Sequence, residues 1–274
     1  MNSIVHPHRV ASVSFLNAKP LIYGLESDPR IALQLDVPSG LLERLKTGRA
    51  DVALLPTIDY QRMDGLRIIP AGGIGCDGAT LTVRIFARQP IKSITSLACD
   101  TDSHTSVALA RIILAERYGL LPEFVDLSRA TGRADEARLL IGDKVVSEEP
   151  PGYPYQYDLG EEWKQLTGLP FVFAVWIARG ETVLGELPAI LADARLRGLA
   201  HVDELVQREA LPRRWPADLA RKYLTENLKF EIGPKQLQAI QRFHELAAAH
   251  QIIPRIIPLR VEPLTPSPEA ASAG

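Results

Sequence analysis

Short apolar runs alternate with amphipathic stretches along the first two thirds of the chain. The apolar runs, bounded by Gly, Pro, Asp and Asn, predict strands. These strands are predicted at 9–15, 31–37, 51–55, 67–74, 81–87, 97–100, 124–127, 138–141 and 171–178. The amphipathic stretches predict helices, among them one over 40–47 with Ser39 as its N-cap and one over 104–118 with Gly119 just past its end. The proline- and tyrosine-rich segment 148–157 is expected to be a loop.

The last third of the chain has helical periodicity without strand-like runs. Residues 187–208 predict one or two helices, 216–226 another, and 234–250 the last, with a proline at or near the first turn of the latter two. The tail 263–274 is rich in Pro, Ser and Ala and is expected to be disordered.

Alternation of strands and helices is typical of an α/β fold with mainly parallel sheets covered on both faces. The pattern changes character near Arg88 and again near Arg179. We therefore predict two lobes, one formed by 1–88 with 180–262 and the other by 89–179. Ligands of open α/β sheets bind beyond the carboxyl ends of the strands, so a central cleft between the lobes is the expected binding site.

Composition narrows the classes of function. Among 274 residues the net charge is −2, with 46% hydrophobic and 23% charged residues, which gives no basic surface for nucleic acid. No apolar run is long enough to span a membrane, and the N-terminus lacks the pattern of a signal peptide, so we expect a cytoplasmic protein. The two cysteines, Cys76 and Cys99, are expected to be buried and reduced.

The first candidate site follows the first predicted strand, in the sequence SFLNAKP that starts at Ser14. Asn17 offers two donors and an acceptor on a short side chain at the end of the sheet where a ligand would lie. The alternative is that Asn17 only forms the turn before a helix.

The second candidate is the run Asp102, Ser103, His104, Thr105 and Ser106 at the start of the helix over 104–118. Free backbone N–H groups and the helix dipole at such a start favour an anion, so a substrate carboxylate could bind there. Capping by Asp102 or Ser103 is the alternative, because both arrangements share one sequence pattern. His104 is more typical of a solvated helix start than of a catalytic base.

Two further candidates lie near glycines. Thr80 and Thr82 follow Gly78, which lets the backbone approach a ligand closely, but an ordinary turn and edge strand would show the same pattern. Asp143 follows Gly142 at the end of a predicted strand, where a cleft could raise the pKa of its carboxyl group into a range useful for acid–base chemistry. A helix N-cap is the alternative for Asp143.

Several catalytic classes lack their motifs in this sequence. There is no G-x-G-x-x-G, no G-x-x-x-x-G-K-[ST] and no G-x-S-x-G. His6 and His8 are a weak metal signal, His244 and His250 do not share a helical face, and no zinc-ligand spacing occurs.

Eight stretches, in order along almost the whole chain, resemble the chorismate dehydratases of the futalosine route to menaquinone. They are SFLNAKPLIYGL, LKTGRADVALLPTIDY, GIGCDGATLTVRIF, DSHTSVALARIIL, ARLLIGDKVV, YDLGEEWKQLTGLPFVFAVW, YLTENLKF and LQAIQRF. The resemblance implies the two-lobed fold of class II periplasmic binding proteins, used here by an enzyme. The sequence departs from the family at Lys144-Val145, where a small residue is usual, and at Pro56-Thr57, where serines are common.

The resemblance also implies a reaction, the loss of water from chorismate to give 3-[(1-carboxyvinyl)oxy]benzoate, without a redox cofactor or a metal. In that reading Asn17 orients the reacting ring and hydroxyl group. The base is either the enolpyruvyl carboxylate of the substrate or Asp143, which could instead protonate the leaving hydroxyl group. The remaining candidates are expected to bind substrate; they are Ser14, Thr57, Thr80, Thr82, Ser103, His104, Thr105 and Ser106.

Two other functions stay open from sequence alone. The sibling enzyme of the same route, 1,4-dihydroxy-6-naphthoate synthase, resembles this chain less in the first-strand motif. A non-catalytic cytoplasmic binder of a small carboxylate would share the fold but would not consume its ligand. A homodimer is a further expectation, whereas nucleic acid and membranes are not expected partners.

Overall fold

A computed structural model describes residues 6–100, 103–131 and 135–263. Eleven strands occur in the described part of the chain: β1 His8–Ser12, β2 Ile31–Leu35, β3 Val52–Pro56, β4 Leu66–Cys76, β5 Val83–Ala87, β6 Ser96–Cys99, β7 Glu123–Asp126, β8 Ala137–Ile141, β9 Tyr155–Asp158, β10 Phe171–Arg179 and β11 Leu228–Lys229. Asp102 and residues 264–274, about which predictions were made from sequence, lie outside the described residues.

The described part of the chain also contains eight α-helices: α1 Pro38–Lys46, α2 His104–Tyr118, α3 Lys144–Ser147, α4 Leu159–Thr167, α5 Leu187–Ala200, α6 Val202–Glu209, α7 Ala217–Lys222 and α8 Pro234–Ala249. Short 3-10 segments at Leu16–Ile22 and Thr57–Arg62 follow β1 and β3. The predicted stretch 187–208 is two helices, because the backbone of His201 leaves the helical region between them.

The strands form two sheets, in the orders β11-β4-β10-β3-β1-β2 and β7-β6-β8-β5-β9. In the first sheet β1 runs parallel to β2 and β3, whereas β10 lies antiparallel between β3 and β4. In the second sheet β6 runs parallel to β7 and β8, and β5 is antiparallel to β8 and β9. The predicted α/β class and two-lobed architecture are confirmed, but the sheets are mixed rather than mainly parallel.

Two strands pair in a different sheet from the one that the predicted lobes suggest. Strand β5 precedes Arg88 yet belongs to the second sheet, and β10 precedes Gly180 yet belongs to the first. The chain therefore crosses between the sheets at 77–82 and at 168–170. The reason is that β5 is only five residues long and β10 is apolar along almost its whole length, so neither strand indicates its sheet, and pairing partners far away in sequence decide between them.

Local differences from the predicted elements have simple causes. Helix α1 begins at Pro38, whose fixed φ suits a first helical position, so Ser39 lies inside the helix rather than before it. Tyr155–Asp158 is a strand inside the predicted loop, because antiparallel pairing with β5 satisfies its backbone groups. The predicted helix 216–226 ends in a π-helical turn at Tyr223–Asn227.

An aromatic cluster joins the second crossing to the C-terminal helix α8. The ring of Phe171, at the start of β10, lies 5.1 Å from both Trp163 of α4 and Phe243 of α8, in edge-to-face contacts. Such pairs add about 1 kcal/mol each beyond the buried area. Cys76 and Cys99 are buried and unpaired, as predicted, and burial raises the pKa of the Cys99 thiol to about 12.

Candidate functional site

A cleft with an empty volume of about 630 Å³ lies between the two sheets. Its lining is mostly apolar, with Phe15, Leu54 and Phe173 from the first sheet and its loops and Ile141 from the second. Six polar side chains also line it: Asn17, Thr80, Thr82, Ser103, Ser106 and Tyr223. Among the described residues no Asp, Glu, Lys or Arg lines this cleft. An apolar cleft with a few converging polar groups is typical of a site for a small molecule.

Asn17 reaches the cleft from the 3-10 segment that follows β1. Helix α5 packs closely on this segment, since a Cβ atom at Gly198 would lie only 2.2 Å from the backbone oxygen of Pro20. The Oδ1 atom of Asn17 is buried and has no hydrogen-bond partner. An unsatisfied buried acceptor in a cleft is expected to accept a hydrogen bond from a ligand.

Thr80 and Thr82 lie on the first crossing between the sheets, and both are buried in the cleft wall. The carboxylate of Asp158, at the start of α4, accepts hydrogen bonds of 2.9 Å and 2.7 Å from the backbone N–H groups of Thr80 and Leu81. It also caps α4 through Gly160 and Glu161. One carboxylate therefore holds the threonine segment against the second lobe.

Ser103 and Ser106 line the cleft at the N-terminus of α2. The Ser103 side chain caps the helix by accepting from the Ser106 N–H group at 3.3 Å, and the two hydroxyl oxygens lie 2.9 Å apart. Capping and exposure to the cleft, which the sequence left as alternatives, thus occur together. Hydroxyl groups at the positive end of a 15-residue helix suit a ligand carboxylate.

Tyr223 is a lining residue that sequence reasoning missed. It is 1% exposed, begins the π-helical turn after α7, and its hydroxyl oxygen lies 2.7 Å from Oγ1 of Thr82. Burial raises the pKa of the Tyr223 phenol, against the opposing effect of hydrogen bonds from Thr82 and Asn17, so the phenol keeps its proton. The only sequence signal was indirect, because Tyr223 starts the stretch YLTENLKF that resembles the family.

Thr57 and Thr105 are fully buried outside the cleft lining. Thr57 donates from Oγ1 to the backbone oxygen of Val172 at 2.8 Å. Oγ1 of Thr105 accepts from the backbone N–H of Ile58 at 3.3 Å, which ties the start of α2 to the segment after β3. Their positions fix the cleft walls.

His104 and Ser14 also lie outside the cleft lining. Nδ1 of His104 lies 3.0 Å from Oδ1 of Asp59, a carboxylate that is 1% exposed and also pairs with Arg62. Ser14 is exposed, and its backbone oxygen accepts from Arg213 at 2.8 Å. His104 is therefore a partner of a buried carboxylate rather than a freely solvated residue.

Asp143 lies behind the cleft wall, next to the lining residue Gly142. Its side chain makes no capping bond to α3; instead Oδ1 accepts from the indole N–H of Trp215 at 3.0 Å, and Oδ2 lies 3.6 Å from Nε of Arg213. Burial raises the pKa of the Asp143 carboxyl group, opposed by Arg213, the Trp215 hydrogen bond and Lys19. The carboxylate thus contacts the C-terminal segment rather than the open space of the cleft.

The described residues lack two kinds of feature. No three His, Cys, Asp or Glu side chains in ranges 6–100, 103–131 and 135–263 come together as metal ligands would. In the same ranges, none of the helices is both long and apolar enough to span a bilayer.

Residues 8–249 match the model of a protein family described as menaquinone biosynthesis. Among curated relatives, the chorismate dehydratase of Thermus thermophilus is 29% identical, over 75% of this chain and 83% of that protein. The chorismate dehydratase of Campylobacter jejuni is 25% identical, over 84% of this chain and 93% of that protein.

Solved structures show the same fold at low sequence identity. A protein of Archaeoglobus fulgidus superposes with a TM-score of 0.67 at 16% identity, over 92% of this chain and the whole of that one. The periplasmic aliphatic sulphonate-binding protein of Escherichia coli has a TM-score of 0.63 at 12% identity, over 96% of both chains. The architecture is therefore that of periplasmic binding proteins.

Proposed function

Because this chain belongs to the menaquinone biosynthesis family, we propose that it catalyses the loss of water from chorismate to give 3-[(1-carboxyvinyl)oxy]benzoate. The observation that carries the proposal is the extent of the match: it spans both lobes and includes every polar residue that lines the cleft. The two curated relatives named above are chorismate dehydratases, a hydro-lyase activity.

The reaction removes one proton from a ring carbon and one hydroxyl group from its neighbour. The C–H and C–O bonds break, the proton and the hydroxyl leave together as water, and the ring becomes aromatic. The ring carboxylate delocalises the negative charge that develops when the proton is removed. The protein has to hold two carboxylates and stabilise this spreading charge.

The start of α2 fits one of the two carboxylates. Ser103 and Ser106 present hydroxyl groups there, and the first-turn N–H groups carry the positive end of the helix dipole. Thr80 and Thr82 contact the ligand from the crossing on the other side of the cleft. A ligand anion held by N–H and O–H groups needs no lysine or arginine in the cleft.

Asn17 suits the role of orienting the reacting part of the substrate. Its unpartnered Oδ1 can accept a hydrogen bond from the substrate hydroxyl group, and its amide cannot act as a useful general base. Since no Asp or Glu among the described residues lines the cleft, the substrate's own enolpyruvyl carboxylate is favoured as the base. Asp143, with one oxygen on Trp215, is less suited to that role.

Turnover of chorismate by the purified protein tests the proposal. We expect 3-[(1-carboxyvinyl)oxy]benzoate to form at a rate proportional to enzyme, as followed by chromatography with ultraviolet detection. If calorimetry detects chorismate binding but no product forms, a non-catalytic binder is favoured. If the protein does not convert chorismate but converts the precursor of 1,4-dihydroxy-6-naphthoate, the sibling synthase is favoured.

The proposal also covers the roles of four residues outside the cleft lining, the cellular compartment of the protein and its oligomeric state. Ser14, Thr57, His104 and Thr105 would support substrate binding by fixing the walls that carry the lining residues. We place the reaction in the cytoplasm, where a biosynthetic intermediate would be made, and a homodimer is tested by light scattering of the purified protein.

A further inference from the structure

Four side chains form a continuous path from behind the cleft wall into the cleft. Asp143 accepts from the Trp215 indole N–H at 3.0 Å, and the Trp215 ring stacks on the Tyr223 ring with centroids 5.0 Å apart and an interplanar angle of 26°. The Tyr223 hydroxyl then pairs with Thr82 at 2.7 Å. Trp215 is 3% exposed and Tyr223 1%, so the stacked rings in the middle of this path are shielded from water, whereas the Asp143 side chain is partly exposed.

The path connects the two lobes twice. Asp143 and Thr82 flank strands β8 and β5 of the second sheet, whereas Trp215 and Tyr223 belong to the C-terminal segment, which pairs with the first sheet through β11. The position of the Tyr223 ring is therefore set from both lobes, through its stacking partner on one side and its hydroxyl partner on the other.

The charged groups around Asp143 favour the hydrogen bond that its carboxylate accepts from the Trp215 indole N–H. Arg213 lies 3.6 Å from its Oδ2 and also pairs with Glu209 at 2.5 Å, and Lys19 lies 3.2 Å from Glu209. The carboxylate therefore has a nearby positive partner without a direct opening to the cleft. Hydrogen bonds to an ionised acceptor are roughly twice as strong as neutral ones, which favours a fixed Trp215.

At the cleft end of the path, a donor stands beside an acceptor. The Tyr223 hydroxyl can accept from Thr82 and direct its own hydrogen into the cleft, while the Asn17 side chain next to it carries an unpartnered Oδ1. A ligand group that accepts from the first and donates to the second is a hydroxyl group, because a carboxylate has no hydrogen to donate. This end of the cleft thus pairs a tyrosine donor with an amide acceptor, whereas the helix start offers hydroxyl groups and first-turn N–H groups.

We propose that Tyr223 is a catalytic residue whose hydroxyl group donates a hydrogen bond to the departing hydroxyl of the substrate, and that Asp143 and Trp215 are positioning residues. This inference rests on the proposed dehydration of chorismate. As the C–O bond breaks, negative charge grows on the leaving oxygen and the hydrogen bond from Tyr223 strengthens. The proton taken from the ring carbon completes the water, and Tyr223 keeps its own proton.

Steady-state kinetics with five variants of the path and one control variant tests the inference. Tyr223→Phe keeps the stacked ring but removes the hydroxyl, so kcat is expected to fall by about 10–100-fold with KM changed by less than about 3-fold. Asp143→Ala and Trp215→Phe each break the same hydrogen bond and are expected to lower kcat by about 10-fold. The double variant should be no slower than the slower single variant, because the two residues act as one unit.

Asp143→Asn keeps an oxygen for the indole and should recover most of the loss. Asp193→Ala, on the exposed face of α5, is the matched control and should behave as wild type.

A spectroscopic measurement follows the path without relying on activity. The indole N–H resonance of Trp215, assigned by its absence in Trp215→Phe, should shift in Asp143→Ala and return towards the wild-type position in Asp143→Asn. A thermal unfolding scan of each variant confirms that it is folded. A merely structural role would lower stability without separating the Asn from the Ala substitution in kcat.

The outcomes separate the inference from the function on which it rests. Wild-type protein that leaves chorismate unchanged would remove the proposed function and the catalytic role of Tyr223 together. Active wild type with an unimpaired Tyr223→Phe variant would overturn the inference alone. If Asp143→Asn is as slow as Asp143→Ala while the Trp215 resonance is restored, then Asp143 transfers a proton and is not a positioning residue.

Discussion

The carboxylate of Asp158 accepts a 2.7 Å hydrogen bond from the backbone N–H of Leu81, a residue whose φ is +71°. A residue with a side chain costs about 1–2 kcal/mol in this left-handed region, so the conformation needs support from its surroundings. That support comes from the neighbouring strand β9, since Asp158 is its last residue and the N-cap of α4. The bend at Leu81 places Thr80 and Thr82 on the same cleft wall.

Replacing Asp158 is expected to weaken both the fold and substrate binding. Asp158→Ala leaves four N–H groups without their acceptor, which should lower the free energy of unfolding by about 2–4 kcal/mol. KM for chorismate should rise as the threonine segment loosens, and Asp158→Asn should be intermediate. Urea unfolding and steady-state kinetics measure the two effects. Asp126→Ala, which removes an exposed cap of a short turn, should change neither; an equal loss there would show that any capping aspartate has this effect.

A negative charge at position 17 should impair turnover. Asn17→Asp keeps the size of the side chain but adds a carboxylate next to an anionic substrate, so kcat is expected to fall on the order of 100-fold. Kinetics on chorismate measures the change. Gln207→Glu is the control, because it adds the same charge at an exposed position of α6 outside the cleft lining and should leave kcat unchanged. Wild-type rates in Asn17→Asp would exclude a role for this residue in the reaction.

Gly198→Ala sets helix propensity against packing. In a free helix the change would stabilise by about 1 kcal/mol, but here the added methyl group would meet the Pro20 backbone oxygen at 2.2 Å. We expect a net loss of about 1–3 kcal/mol and a lower kcat/KM, because the displaced segment carries Asn17. Denaturant unfolding of this variant and of Gly40→Ala measures the effect. At Gly40 the nearest atom belongs to the Asp36 side chain, which can move aside, so a much smaller change is expected there.

His244 is buried in its neutral form. Its Nδ1 atom accepts from the Gln61 amide at 2.8 Å, because that amide nitrogen also donates to the Ile257 backbone oxygen. The Nε2 atom therefore carries the hydrogen and donates to the Thr57 backbone oxygen at 2.9 Å. Burial lowers the pKa of His244 from 6.5 to about 4, since no solvent is available to stabilise the imidazolium ion.

Stability should consequently depend on this histidine in mildly acidic solution. In the unfolded chain His244 takes up a proton near its ordinary pKa of 6.5, whereas in the folded protein it does so only near 4. Its contribution, on the order of 3 kcal/mol, is thus complete above 6.5, is lost as the pH falls towards 4, and is absent below. Unfolding free energies of wild type and His244→Gln across this range measure it. The difference between the two proteins should shrink as the pH falls; a difference that stays constant across this range would contradict the prediction.

Hydrophobic patterning predicted the individual elements better than their partners. Strands such as 51–55 and helix 104–118 lie within a few residues of their predicted bounds, because burial on one or both faces leaves a local pattern. Strand β9 was missed, since its tyrosines and polar residues are exposed or half-buried at the sheet edge. The antiparallel direction of β10 in the first sheet could not be predicted from its sequence, because a buried strand is apolar whether it pairs in parallel or antiparallel.

The site shows the same limit. Asn17, Ser103 and Ser106 were predicted because they follow a strand or start a helix, and Thr80 and Thr82 because they follow Gly78. Tyr223 pairs with a residue 141 positions away, and no spacing in the sequence indicates that contact. Asp143 has the sequence context of a cleft residue, yet Trp215 draws its carboxylate to the far side of the wall.

Strand β10 lies between β3 and β4, although more than ninety residues, roughly the length of a small domain, separate it from β4 along the chain. During synthesis on the ribosome, the second sheet has all its strands once residue 158 has emerged, whereas β3 and β4 have no strand to join them until residue 179 follows. The second sheet can therefore complete its hydrogen bonds first, and the first sheet, which contains β1, completes its hydrogen bonds afterwards. The sheet whose first strand is synthesised earlier is thus the one that is completed later.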